Sequence, residues 1–197
     1  MEPVPVSPTS PTELRARQVL NDAYRALELL EAEPNPIDAR IYYFAMIALL
    51  RAVGHVLDKV DCASNNALKT ASARKYNEMK KEPDNYAVFF HFIEAERNLI
   101  LKEYRSNAEL VVPLFVITDV ATGEEVLYGD GDDTTFPMFI FEDGPFAGED
   151  ARDIAPRAIA FWDTYLGELE LEVFAVSRAQ CFPPITTGVT LPKPVPE

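Results

Sequence analysis

Two polar stripes interrupt apolar helical segments of this chain, and they carry the side chains that bind anions or move protons. Arg51, His55 and Asp58 are spaced by four and three, so they share one helix face. His91, Glu94, Asn98 and Lys102 fall roughly on one face of a later helix, with Arg97 beside them. If the stripes met inside a bundle, Arg51, His55 and Asp58 would face His91, Glu94, Arg97 and Asn98. Imidazole is the side chain whose ordinary titration suits proton transfer near neutrality, and guanidinium grips carboxylates and phosphates. Such a cluster forms a pocket for an anion or a small ligand. The competing reading is an ion-pair network that only orients the helices, or histidines that lie on the surface. A metal site has no support, because His55 and His91 sit on different segments and no His-x-x-x-His occurs. Cys62 and Cys181 lie far apart and add no metal-ligand spacing. Asp130-Gly131-Asp132-Asp133 lacks the order and closing Glu of a calcium loop, and reads as a tight acidic turn. With no Gly-x-Gly-x-x-Gly, P-loop or Gly-x-Ser-x-Gly, no catalytic residue and no cofactor is assigned.

The segment Arg97-Asn98 to Lys102-Glu103-Tyr104 resembles the closing-helix signature of HEPN-type helical domains. In those domains an Arg and a polar residue precede a His, and a Tyr often follows; here Arg97, Asn98 and Tyr104 match and Lys102 holds the His position. The resemblance extends at most over Thr12 to Tyr104. It implies a helical bundle that pairs into a homodimer and contacts RNA. The active members use Arg and His to assist attack of an RNA 2′-hydroxyl on the adjacent phosphate. A lysine titrates near 10.4, so Lys102 would hold phosphate charge but serve poorly as a base. A non-catalytic relative is therefore expected, with an RNA-cleaving protein in which His91 replaces the lost base as the alternative. Read without the resemblance, Lys102 and Arg105 are the cations that oppose a helix dipole, and Glu96 and Glu103 pair with neighbours.

These residues need helices to position them. Ser10-Pro11-Thr12-Glu13 reads as a capping box opening a helix that runs to about Glu33. Asn35 caps a second helix over about 36–60, apolar on most of its circumference and hence central. A break at Asp61 to Asn66 precedes a third helix over about 66–81, with five cations and one acid. With Tyr76 it offers an RNA-facing surface, or simply a solvated face. Pro83-Asp84 opens a fourth helix reaching Tyr104. Beyond Asn107 the chain turns β-branched: strands are expected over 110–120, 125–128 and 136–141, the last at an edge because of Pro137. A fifth helix follows from Asp150 or Asp153 to about Val173.

The expected architecture is α+β: an antiparallel, HEPN-like helical bundle, then a small antiparallel sheet and a long C-terminal helix. In residue terms this is a loose N-terminus at 1–9, a bundle at 10–107, a sheet-plus-helix unit at 108–176 and an extended proline-rich tail at 177–197. Charge is uneven: 14 Lys/Arg meet 15 Asp/Glu through Arg105, but 4 meet 17 beyond it, for a net of −14 overall. The acidic half repels phosphate, so any nucleic acid belongs to the first half. The absence of a long uninterrupted apolar run argues against a membrane protein, and an acidic, proline-rich start together with two lone cysteines points to the cytoplasm. The function expected is that of a binding or interaction protein, the expected partners being a second copy, RNA or a small anionic ligand at the helical half, with Arg51, His55, His91, Glu94, Arg97, Asn98, Lys102 and Tyr104 as candidate ligand contacts.

Overall fold

The computed structural model describes residues 14–33, 35–113, 115–118, 122–123, 125–128 and 136–175. The capping box, the loose N-terminus, the acidic turn at Asp130 and the proline-rich tail lie outside them.

Helix α1 (Arg15–Glu31) buries Ala16, Leu20, Ala23, Leu27 and Leu30, a stripe of helical period. Its opening turn carries no local side-chain cap. Instead Asp61 reaches back, its two carboxylate oxygens accepting from Arg15 N at 2.9 Å and Ala16 N at 3.0 Å. The break after the second helix thus supplies the anion that the first helix needs at its positive end.

Helix α2 (Pro36–Lys59) begins where Asn35 Oδ1 accepts from Ile37 N and Asp38 N at 2.9 and 3.4 Å. Tyr43, Met46, Ile47, Leu50 and Val53 are wholly inaccessible, so this is the core helix. The stretch Pro36–Ala63 is long and apolar enough to cross a bilayer by length and composition alone, a test that core helices also pass. Its one open face shows Ile37 and Ile41. Helix α3 (Asn66–Met79) is capped by Asn65, which accepts from Leu68 N at 3.0 Å.

The fourth helical segment is not one α-helix. A 3₁₀ turn (Pro83–Tyr86) leads into a π-helical stretch (Val88–Glu94) and then α4 (Ala95–Glu103). Tyr104 ends it in the left-handed region at φ 53°.

The expected strand at 110–120 is two strands. Pro113 has no N–H for a ladder, and the chain divides around it into β1 (Ala108–Val111) and β2 (Phe115–Thr118). β2 forms an antiparallel pair with β3 (Glu125–Tyr128), Phe115 opposite Tyr128. β1 pairs antiparallel with β4 (Met138–Phe141), Ala108 opposite Phe141. Along β4, Phe139 and Phe141 alternate into the core.

Helix α5 (Ala151–Glu170) is capped by Asp150 Oδ1, which accepts from Arg152 N at 2.9 Å. Pro156 lies in its second turn rather than its first, and costs the Arg152 carbonyl its helical donor. α5 packs against α1, the π-helical stretch and β4. Arg17 of α1 clamps it, with Nε and Nη2 donating to Glu170 at 2.8–3.1 Å and Nη1 to Asp163 at 2.6 Å. The pairing holds the guanidinium protonated far above any working pH. The α+β class and the helical bundle are as the sequence indicates, with α5 completing the core rather than standing apart.

Candidate functional site

The polar stripes of α2 and the fourth segment do meet, at one end. Arg51 Nη2 lies 3.5 Å from Glu94 Oε1. The Arg51 guanidinium also sits 5.9 Å from the Phe89 ring centroid. His55 is next to them on α2, and its imidazole is pushed down in pKa, first by burial and then by the positive charges of Arg51 and Arg97.

The remaining candidates lie elsewhere. His91 is exposed and does not line the cavity described below. Arg97 is half-buried, and its Nη1 donates to neighbouring Asn98 Oδ1 at 3.1 Å. Two acids that a facing arrangement would offer it are engaged otherwise: Glu94 with Arg51, and Asp58 with Lys59 at 2.7 Å. Lys102 is exposed. Tyr104 stands edge-on to Phe44, ring centroids 5.4 Å apart, with Arg40 over its face at 5.7 Å. Arg40 and Arg51 are eleven residues apart on α2, about 16 Å along the axis, so Tyr104 belongs to the other end of the helix.

Where Arg51 and His55 stand, α2, α3, the π-helical stretch and α5 enclose a cavity of about 410 Å³. Its wall is largely apolar: Leu57, Met79, Phe89, Trp162 and Tyr165 are all at least nine-tenths buried. Its mouth is polar, formed by Arg51, His55, Asp58, Lys59 and Lys69. Trp162 is held edge-on to Phe89 and Tyr165 at 5.7 and 5.5 Å between centroids. Opposite it α2 carries Gly54, where an added Cβ would come within 2.9 Å of Trp162 Cη2. The glycine therefore lets α2 approach the indole. Trp162 Nε1 is buried with no hydrogen-bond partner among the described residues, an uncompensated cost. Tyr165 Oη donates to the Ser72 carbonyl at 3.2 Å and ties α5 to α3 across the cavity. Cys62 also lines it; burial pushes its thiol up and keeps it protonated. The π-helical geometry beside Phe89 is of the kind that collects at functional sites.

A second hollow of about 360 Å³ lies on the far side of Met79 and Tyr165. Its one cation, Lys75, is paired to Glu168. It is the poorer site, since its charges already satisfy one another. The same pairing thins the basic face of α3, where Arg74 is bound to Glu78 at 3.2 Å and to Glu172 at 2.6 Å.

The sequence reading missed two features. It did not single out Trp162, and it paired Glu96 with neighbouring residues. Glu96 is wholly buried. Its Oε2 accepts from Tyr43 Oη at 2.9 Å and Ser106 Oγ at 2.5 Å, and its Oε1 from Asn107 N at 3.2 Å and Nδ2 at 2.8 Å. Burial beside that carboxylate pushes the Tyr43 phenol well up. Among the described residues no group of three or more His, Cys, Asp or Glu is placed to hold a metal ion. Comparison with family models, with curated proteins and with solved structures finds no match to this chain.

Proposed function

We propose that this chain is a non-catalytic small-ligand-binding protein whose ligand occupies the cavity between α2, α3 and α5. The observation that carries the reading is the cavity itself: about 410 Å³, a largely apolar, aromatic wall and a polar mouth, the build of a small-molecule site. The one carboxylate that lines the mouth beside His55, Asp58, is paired to Lys59, which supports binding rather than proton transfer. In the same reading the helical half is a HEPN-like bundle that has lost its histidine, Lys102 standing in that place, and that pairs with a second copy.

The chain has one tryptophan, and it lines the cavity. A panel of small aromatic molecules, titrated while Trp162 emission and thermal midpoint are followed, tests the proposal. Occupancy gives saturable changes in both, because a ligand bound only to the native state raises its stability. A cavity-filling Ala73→Phe variant loses both changes while keeping its own transition. A panel without a single saturable member, or a response that survives Ala73→Phe unchanged, removes the proposal. Homodimerisation is checked separately by sedimentation, where a strict monomer at high concentration counts against it.

A further inference from the structure

We infer that the ligand of this cavity is an anion: an apolar, ring-bearing body held against Phe89 and Trp162, with its negative head at the mouth against Lys69 and Arg51. The inference rests on the binding reading above and adds the ligand's charge and orientation.

The chain as a whole carries −14, yet the mouth runs the other way. Arg51, Lys59 and Lys69 line it against the single acid Asp58. Ion pairing leaves that excess in place. Lys59 and Asp58 form an exposed pair, 76% and 57% accessible, which water and salt exchange readily. Arg51 meets Glu94 only at 3.5 Å, longer than a tight charge-assisted contact. No ion pair engages Lys69 or Arg97 among the described residues. Three cations therefore line one opening with Asp58, while Glu94 meets Arg51 and the Asp61 charge reaches Cys62. His55 is lowered first by burial, and among its charged neighbours Arg51, Arg97 and Lys59 outweigh Asp58 in disfavouring a further positive charge. Behind this mouth the wall offers rings and aliphatic surface and no charge. An anion at the mouth screens cations that now repel one another, while a neutral ligand gains only from the wall and a cation is opposed.

The test is calorimetric titration of the full chain with a matched series sharing one ring system: 2-naphthoate, 2-naphthyl phosphate, 2-naphthamide and 2-naphthylmethylammonium. The expected order is both anions about tenfold tighter than the amide, with the ammonium weakest, each partly exposed cation contributing about threefold. Lys69→Gln and Arg51→Gln each narrow the gap between naphthoate and naphthamide by about threefold; added salt narrows it too. The carboxylate and phosphate arms separate the two head groups that this chemistry admits. Equal binding of amide and anion, or a gap indifferent to Lys69→Gln, overturns the inference while the cavity reading stands. Binding of none of the four overturns both.

Discussion

Replacing Glu96 by alanine tests the most heavily engaged side chain in the core. Its carboxylate accepts four hydrogen bonds, from Tyr43, Ser106 and both nitrogens of Asn107. Hydrogen bonds to a charged acceptor contribute about 1.5–3 kcal/mol each when both partners are dry. Ser106 is half-buried and Asn107 exposed, so water replaces much of what they lose. Tyr43 is wholly buried and keeps the full penalty of a stranded hydroxyl, about 1–3 kcal/mol, to which the vacated space adds about 1–2 kcal/mol. Glu96→Ala should therefore cost about 4 kcal/mol, and in urea, with a slope of about 2 kcal/mol per molar, the midpoint falls by about 2 M. Glu96→Gln should cost only about 1–2 kcal/mol. The Tyr43 and Ser106 hydroxyls can rotate to accept from its amide, while its carbonyl still faces Asn107. A Tyr43→Phe and Glu96→Ala cycle should return a coupling of about 1–2 kcal/mol. The reasoning fails if Glu96→Ala costs under about 1 kcal/mol, or if Gln is as damaging as Ala.

Other outcomes follow from the same contacts. Asp61→Ala removes the cap from α1 and should lower stability by about 1 kcal/mol, read as a lower denaturation midpoint and faster amide exchange in the first turn. Arg97→Ala should change stability by less than about 1 kcal/mol, because its guanidinium donates to the adjacent Asn98 and no acid depends on it; a drop of several kcal/mol would contradict this. His55 should titrate below its ordinary value by NMR, and Arg51→Gln should move it back up. The folded state binds that proton less readily than the unfolded chain. The penalty is thus fully present below the folded value and disappears as pH rises through the unfolded one, so stability increases with pH across that window and His55→Asn flattens the increase.

Local signals placed the helices well. Asn35 before Pro36, and Asp150 before α5, are caps that any stretch of chain can advertise, and both are used. The strand at 110–120 was misread because its β-branched residues hide the single Pro113, and because β1 finds its partner in β4 rather than in the next strand. The π-helical stretch has no periodicity that separates it from an α-helix. Of the site, Arg51 and His55 were legible as a stripe at helical spacing. The wall was not: Trp162 is more than a hundred residues away from them, and nothing near it says which face will meet Gly54. Glu96 was misassigned for the same reason. Whether a carboxylate is buried depends on the donors that surround it, and the first of these, Tyr43, is 53 positions back.

The reach of Asp61 to the start of α1 also sets an order of events. During synthesis the residues of α1 and α2 must all be made before that carboxylate exists, 46 positions after the amide it receives. Until α2 has folded back along α1, the first turn of α1 has free amides and frays. The first helix among the described residues is therefore completed late, by an αα-hairpin that must close first. If that contact forms only after the rate-limiting step, its loss appears as faster unfolding with the folding rate little changed.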